Sequence, residues 1–254
     1  MRERSISVSD HTRTALLSDA EPTVHLDWLA TESLSVEQSV RFERSLSADE
    51  RARANSLPDQ RRCEYVAAHG LLRWQLSELL AVPAAELVFV QPTPGAKPRL
   101  VWPTAPRLDV NLSHTAGVVA SVVGEGVRVG IDLEAVDRPV APAVVKRFLA
   151  ESERLWLSAH GDRDASAIRI WTLKEAVAKA LGLGLQIGFA DLIVQSDPAR
   201  LLSLPAQHGS PAGWWLYQWR VLGRYWCAVA CQVPVRPTLR RAVLPEGEAG
   251  CRQR

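Results

Sequence analysis

Several features that would place this 254-residue chain in a common functional class are missing from it. Lys and Arg outnumber Asp and Glu by only 30 to 28, so no net charge attracts nucleic acid or a membrane surface. No apolar run approaches the length of about 18 residues that a membrane-spanning helix needs. The opening residues are polar throughout and do not resemble a signal peptide. We therefore expect a cytoplasmic protein that binds neither nucleic acid nor membrane.

Cysteine is also scarce, and its spacing excludes a zinc site. The chain has no Cys-x-x-Cys pair. Cys227 and Cys231 would share a strand face, but no further His or Cys partner lies at zinc-ligand spacing from them, and the other two thiols are Cys63 and Cys251. Reduced, mostly buried thiols are the simplest expectation. The sequence also lacks a Walker loop, a Gly-x-Gly-x-x-Gly turn and a defensible Ser–His–Asp order, which are common marks of nucleotide-binding and hydrolytic sites.

What the sequence does contain is typical of a globular α+β protein. Apolar residues make up 47% of the chain and charged residues 23%. Long helices are predicted from Asp59 to about Ala81, where Pro83 follows, and from Asp164 to Leu181, where Gly182 follows. Helices followed by a terminal hairpin occur twice, which predicts two similar lobes. The expected divisions are an N-terminal tail 1–22, a first lobe 23–126, a second lobe 127–235 and a C-terminal tail 236–254.

Local patterns give more detailed predictions. Ser35 to Gln38 and Ser47 to Glu50 each fit the capping box that begins a helix. The segments 118–123 and 127–134, separated by Gly and Glu residues, are typical of a β-hairpin. The tail from Pro234 is rich in Pro, Arg and Gly, and we expect it to be mobile.

Two acidic residues lie on the second arm of that predicted hairpin. In Val129-Gly130-Ile131-Asp132-Leu133-Glu134, successive side chains of a strand point to opposite faces, so Asp132 and Glu134 share a side. Two like charges so close repel unless a cation or water separates them. On their own, these acids favour a half-exposed strand that faces water.

A second stretch, Trp171 to Lys179, follows about forty residues later. On a helix, Trp171, Glu175 and Lys179 are four residues apart and form one stripe of an aromatic, an acid and a base. Taken alone, the pattern is typical of an ordinary helical Glu–Lys pair, which is worth a few tenths of a kcal/mol.

Together with their flanking segments, the two stretches are much more specific. Gly-Ile-Asp-x-Glu and Trp-x-x-Lys-Glu-Ala-x-x-Lys resemble the signature pair of the 4′-phosphopantetheinyl transferases. Asn111-Leu112-Ser113-His114 is similar to the family's Asn-x-Ser-His segment, and Gly95-Ala96-Lys97-Pro98 to its Gly-x-Lys-Pro loop. The chain length resembles the larger, surfactin-synthetase-activating type, which is a single chain with two similar lobes. This resemblance implies an α+β fold in which a pseudo-twofold axis relates the lobes and the active site lies in the cleft between them.

The resemblance implies a reaction and its cofactors. The phosphopantetheine arm of coenzyme A would move to a serine of an apo acyl or peptidyl carrier protein, with release of adenosine 3′,5′-bisphosphate. Phosphoryl transfer depends mainly on positioning and charge neutralisation, which a hard cation supplies well. The implied metal ligands are Asp132, Glu134 and Glu175, holding Mg²⁺, with Mn²⁺ as the alternative. Glu175 would also orient or deprotonate the serine.

The resemblance also implies which residues bind coenzyme A. The predicted catalytic residues are Glu175, Lys179 and His114, and the predicted coenzyme A ligands are Lys97, Pro98, Ser113, His114, Lys174, Lys179 and Arg62. Two departures from the family pattern stand out. Glu64 occupies the place of an arginine, for which Arg62, Arg61 or Arg73 would substitute, and Gly182-Leu183-Gly184-Leu185 lacks the family's lysine.

Two other functional classes stay open at this point. One is a metal-dependent hydrolase of the coenzyme A pyrophosphate, and the other is a coenzyme A-binding module without catalysis. The carrier could serve fatty-acid, polyketide or nonribosomal-peptide synthesis. Because a two-lobed chain supplies both walls of the cleft, we expect a monomer.

Overall fold

The computed structural model describes residues 21–91, 96–159, 162–235 and 237–245. Most of both predicted tails, and Gly95 of the predicted loop motif, lie outside these ranges. Across the described ranges, no helix is both long enough and apolar enough to span a membrane. The predicted limits of the two lobes and the two tails remain predictions.

The described part of the chain contains helices and sheets in both halves, so the fold is α+β as predicted. The helices are α1 (Val36–Ser45), α2 (Ala48–Asn55), α3 (Asp59–Leu80), α4 (Pro142–Phe148), α5 (Glu151–Ser158) and α6 (Arg163–Leu181). The strands are β1 (Thr23–Ala30), β2 (Val88–Val90), β3 (Arg99–Trp102), β4 (Leu108–Thr115), β5 (Val118–Glu125), β6 (Val129–Ala135), β7 (Ile193–Ser196), β8 (Ala199–Ser203), β9 (Trp215–Val221), β10 (Tyr225–Cys231) and β11 (Thr238–Arg241).

The first lobe is a four-stranded sheet against which α3 packs. Its strand order is β11-β1-β5-β4, so β4 is an edge strand. Both predicted capping boxes are confirmed, because Ser35 accepts from the Gln38 amide before α1 and Ser47 accepts from the Glu50 amide before α2. Helix α3 ends one residue before the predicted limit, where Ala81 adopts a left-handed φ of 53°.

The second lobe repeats these parts with a three-stranded sheet, β6-β10-β9, covered by α6. Helix and strand approach closely at Gly130, where an added Cβ would lie 2.2 Å from the Ala176 carbonyl oxygen and 2.3 Å from the Ala180 nitrogen. Glycine is therefore required on β6 for α6 to dock at this depth. Each lobe also carries a two-stranded hairpin, β2-β3 in the first and β7-β8 in the second. The close packing of α6 on β6 brings Glu175 and Lys179 to the strand that bears Asp132.

The predicted hairpin over 118–134 is wrong. Strand β5 already has β1 on one edge and β4 on the other, so it offers no free edge to β6. The chain turns at Gly126, whose φ is 67°, and β6 crosses to the second sheet, where it pairs antiparallel with β10. The hairpin that does form joins β4 to β5 through Ala116 and Gly117, and Gly117 has a φ of 87°.

Part of the predicted C-terminal tail is also ordered, which corrects the expectation of a mobile segment after Pro234. Thr238–Arg241 forms β11, which pairs in parallel with the outer edge of β1. The Ala242 amide extends this pairing with a 2.8 Å hydrogen bond to the Trp28 carbonyl oxygen. The free backbone edge of β1 explains the strand, because its unpaired groups need partners.

Candidate active site

The two lobes meet where β4 and β6 lie side by side. Their contact is made by β4 side chains that accept from β6 backbone amides: Asp109 Oδ2 from Val129 at 2.8 Å, Asn111 Oδ1 from Ile131 at 3.1 Å, and Ser113 Oγ from Leu133 at 3.1 Å. Both strands advance by two residues between links, so they run parallel. We call these three links the interlobe seam. Because the spacing is regular, the seam fixes Ser113 beside Asp132.

Asp132 is at the centre of the cluster that forms at the end of this seam. Its carboxylate is buried, and Oδ1 accepts from Ser113 Oγ at 3.1 Å and from Lys179 Nζ at 2.7 Å. Lys179 Nζ also donates to Ser113 Oγ at 2.9 Å. The other oxygen, Asp132 Oδ2, is buried and has no hydrogen-bond partner among the described residues. A buried carboxylate oxygen without a donor is costly, so this atom is available for a cationic ligand.

The other two predicted acids lie within the electrostatic reach of Asp132. Burial and the charge of Asp132 raise the pKa of Glu134, although Arg138 forms an ion pair with it. Burial and the same aspartate raise the pKa of Glu175 to about 7. The charge of Asp132 therefore acts on both glutamates. Within the described ranges, however, no three His, Cys, Asp or Glu side chains are arranged so that they could already hold a metal ion.

A cavity of about 170 Å³ opens next to this cluster, between the lobes. Lys97 and Pro98 line it from the first lobe, and Lys179 with Gly182 and Gly184 from the second. Lys97 Nζ donates to Asp109 on β4 and to the Val129 carbonyl oxygen on β6, so it also links the two strands of the seam. Burial lowers the pKa of Lys97. Two lysines on opposite walls make the cavity suited to an anion.

Comparisons with known proteins point to one family. A family model described as the 4′-phosphopantetheinyl transferase superfamily matches residues 128–230. The 4′-phosphopantetheinyl transferase HetI of Nostoc sp. strain PCC 7120 is 35% identical over 173 residues, which are 64% of this chain and 71% of HetI. The chain belongs to the 4′-phosphopantetheinyl transferase family.

One further curated relative agrees with that assignment, and a solved structure matches part of the chain. The 4′-phosphopantetheinyl transferase psf-1 of Bacillus pumilus is 31% identical over 68% of this transferase and 71% of psf-1. The crystal structure of Thermotoga maritima holo-[acyl-carrier-protein] synthase is 27% identical, has a TM-score of 0.35, and covers 41% of this chain and 61% of its own.

One predicted coenzyme A ligand does not face the site of the transferase. Lys174 is fully buried inside the second lobe, where it forms an ion pair with Glu153 and donates to the carbonyl oxygens of Phe148 and Phe189. Burial lowers its pKa. All three ammonium hydrogens have acceptors, so none is left for a phosphate. Lys174 precedes Glu175 by one residue on α6, which turns it away from the face that carries Glu175 and Lys179.

Two other predicted ligands have acidic partners. Arg62 forms an ion pair with Glu43 of α1, and it is not among the residues that line the cavity. His114 lies near the end of β4, where its Nδ1 is 3.5 Å from Glu64, and burial lowers the pKa of its imidazole. Arg73, a suggested substitute for Arg62, is 1% exposed and bound inside the first lobe, so it cannot reach a ligand either.

Sequence reasoning overlooked His69, which lines the cavity. Its Nδ1 lies 3.1 Å from Glu50, and its ring stacks on Tyr65 at 4.0 Å. Arg73 donates to the same glutamate at 2.7 and 3.0 Å. Burial alone would raise the pKa of Glu50, but the His69 hydrogen bond and the Arg73 charge lower it to about 2. No local spacing signals this cluster, because Glu50 comes from a different helix.

We expect Glu50→Gln to lower the free energy of unfolding by about 3 kcal/mol at pH 7, because it leaves the buried Arg73 charge without an ionic partner. The pKa of Glu50 is lower in the folded chain than its ordinary value, 4.5, so its contribution exists above pH 4.5 and disappears as pH falls towards about 2. Urea denaturation at pH 7 and pH 3 should therefore show a smaller loss at pH 3.

The matched control is Glu43→Gln, which removes the half-exposed pair with Arg62 and should cost less than about 1 kcal/mol. Equal losses for the two variants at pH 7 would contradict the importance of the buried cluster.

Proposed function

We propose that this transferase moves the 4′-phosphopantetheine arm of coenzyme A to a serine of an apo carrier protein. The serine oxygen forms a new bond to the phosphorus that carries the arm, and the bond from that phosphorus to the bridging pyrophosphate oxygen breaks. Adenosine 3′,5′-bisphosphate leaves with the electron pair. The observation that carries the proposal is the Ser113–Asp132–Lys179 cluster, which joins both lobes beside a cavity with lysines on two walls.

The donor set suits a hard divalent cation. Asp132 Oδ2 is buried and has no donor among the described residues, and burial together with repulsion from Asp132 raises the pKa of both Glu134 and Glu175. Carboxylate oxygens are the ligands that Mg²⁺ and Mn²⁺ prefer. We therefore propose that Asp132, Glu134 and Glu175 hold Mg²⁺, with Mn²⁺ as the alternative. When bound, the cation would neutralise charge on the pyrophosphate oxygens.

Glu175 is the residue best placed to manage the proton of the attacking serine. Before a cation binds, burial and the charge of Asp132 raise its pKa to about 7, and a bound cation would lower that pKa, so the carboxylate would be ionised at neutral pH and able to accept a proton. In this proposal, a Glu175 carboxylate oxygen accepts the hydroxyl proton of the carrier serine as the serine oxygen attacks. The elevated pKa follows from burial and from the neighbouring acids, so it is a property of the site.

The cavity residues supply the positive charge that the pyrophosphate needs. Lys97 and Lys179 each donate two hydrogen bonds inside the protein, which leaves one ammonium hydrogen on each for a phosphate oxygen. Pro98 restricts the backbone beside Lys97. His69 on the cavity wall adds an imidazole group, and we propose that His114, which follows Ser113 on β4, adds a second one.

A single assay tests the proposal against its two rivals. The transferase is incubated with an apo carrier protein, coenzyme A and Mg²⁺, and the intact mass of the carrier is measured by mass spectrometry. A mass gain of one phosphopantetheine arm supports transfer, and chelation of the cation should abolish it. Release of free phosphopantetheine would instead indicate hydrolysis. No reaction with any carrier would indicate a non-catalytic module.

The finer properties of the enzyme are proposals from the sequence. We propose that it acts as a monomer in the cytoplasm, since both walls of the cavity come from one chain. Its carriers would be those of fatty-acid, polyketide or peptide synthesis, and comparing transfer rates to one carrier of each kind would rank them. Light scattering would test the monomer.

A further inference from the structure

The hydroxyl of Ser113 uses its entire hydrogen-bonding capacity inside the protein. It donates to Asp132 Oδ1 at 3.1 Å, and it accepts from the Leu133 amide at 3.1 Å and from Lys179 Nζ at 2.9 Å. A serine hydroxyl has one hydrogen and two lone pairs, so no further bond remains to be made. The residue is also buried, with 5% of its surface exposed.

These contacts determine which oxygen of Asp132 is free. Oδ1 is held by Ser113 and by Lys179, whereas Oδ2 is buried without a partner among the described residues. Rotation of the carboxylate would break both bonds to Oδ1. The Ser113 hydroxyl thus connects three elements: β4, on which it lies, β6 through Asp132 and Leu133, and α6 through Lys179.

From this geometry we infer that Ser113 is a positioning residue that orients Asp132 and Lys179, and that its hydroxyl is not a phosphate ligand. The inference rests on the proposed function, because the oriented Asp132 oxygen is the one we assign to the divalent cation. It replaces the role that the family resemblance implied for Ser113. Outer groups that orient a metal-binding carboxylate usually contribute 10- to 100-fold to affinity or activity.

The two other links of the interlobe seam allow the Ser113 hydroxyl to be removed without unfolding the protein. The links from Asp109 to Val129 and from Asn111 to Ile131 do not involve Ser113, so they keep the lobes docked when its hydroxyl is removed. Ser113→Ala should therefore lose the orientation of Asp132 while retaining the fold. Ser113→Thr restores a hydroxyl at the same position.

A second buried serine provides a matched control. Ser121 lies on the adjacent strand β5, is fully buried, and donates to Gln75 Oε1 at 2.9 Å. Its hydrogen-bond partner Gln75 and its strand partners Asp27 and Leu112 do not belong to the cluster of Ser113, Asp132 and Lys179. Ser121→Ala therefore removes a buried serine hydroxyl of the same sheet without touching the site.

The experiment measures two quantities for each variant: Mn²⁺ affinity by calorimetry without coenzyme A, and steady-state transfer with kcat and KM for coenzyme A. For Ser113→Ala we expect Mn²⁺ affinity to fall by about 10-fold and kcat by about 30-fold, with KM changed by less than about twofold. Ser113→Thr should recover most of both losses, and Ser121→Ala should behave as wild type.

Three results would overturn the inference. A raised KM for coenzyme A with unchanged Mn²⁺ affinity would make Ser113 a ligand of the substrate. Equal losses in Ser113→Ala and Ser121→Ala would make its role merely structural. If wild type transfers nothing, the proposed function fails, but calorimetry still decides the role of Ser113: weaker Mn²⁺ binding supports it, and equal or absent Mn²⁺ binding in wild type and variant refutes it.

Discussion

Asp132→Asn should lower kcat for phosphopantetheine transfer by about 100- to 1,000-fold, the usual loss when one electrostatic partner of a phosphoryl-transfer transition state is removed. Asparagine keeps the size of the side chain and an oxygen that Ser113 and Lys179 can bind. It removes the negative charge and the free carboxylate oxygen. Because repulsion with Glu134 and Glu175 is also relieved, the loss of activity should occur in a stably folded protein.

The control for this variant is Asp27→Asn on β1. Asp27 is as buried as Asp132, but it accepts from Gln75 and Arg240 on the far side of the first lobe. Asp27→Asn should lower the free energy of unfolding with little change in kcat. If Asp132→Asn retains more than about a tenth of wild-type kcat at saturating Mg²⁺, Asp132 is not at the reaction centre.

Lys174→Met should have the largest effect on stability, with a loss of about 3–5 kcal/mol in the free energy of unfolding. The substitution leaves the Glu153 carboxylate buried without its cation, although Ala150 and Val194 amides still donate to it. It also leaves the Phe148 and Phe189 carbonyl oxygens without their donor. Chemical denaturation with two probes would measure the loss.

A double variant separates the internal pair from a role in substrate binding. Lys174→Met with Glu153→Leu removes both charges, so it should recover part of the stability that Lys174→Met loses, although the Ala150 and Val194 amides then lose their acceptor. KM for coenzyme A in the double variant should match wild type. A large rise in KM for coenzyme A in a double variant of normal stability would instead indicate that Lys174 binds coenzyme A.

The parts of the fold that depend on local chemistry could be predicted from the sequence. Both capping boxes begin their helices as expected, and Gly182 ends α6 in a left-handed conformation with a φ of 74°. Such signals act within four or five residues, so they are visible in the chain itself. The alternation that placed Asp132 and Glu134 on one face of a strand is equally local.

The pairing of strands could not be predicted in the same way. The segment before Asp132 favoured a hairpin because two apolar runs flank a glycine-rich turn, but β5 was already paired on both edges. The short strands β3 and β8, of four and five residues, were not anticipated, since each is defined by its neighbour in a two-stranded hairpin.

The interlobe seam explains why the roles of individual site residues were the least predictable part. Asp109, Asn111 and Ser113 bind backbone amides of another strand, and side chain–backbone links between strands carry no sequence signal. The family motif contains both Lys174 and Lys179, so it predicts both at the site. In the helix, however, Lys179 faces Asp132 in the cleft, whereas Lys174 faces Glu153 in the core of the second lobe.

The central claim is that β6 and α6 bring three carboxylates to one divalent cation. Its most direct test is Mn²⁺ titration of the coenzyme A-saturated protein, followed by electron paramagnetic resonance. We expect one bound Mn²⁺ per chain in wild type, none at the same concentrations in Asp132→Asn, and weakened binding in Glu134→Gln and Glu175→Gln. Wild-type Mn²⁺ binding in both Asp132→Asn and Glu175→Gln would contradict the shared site.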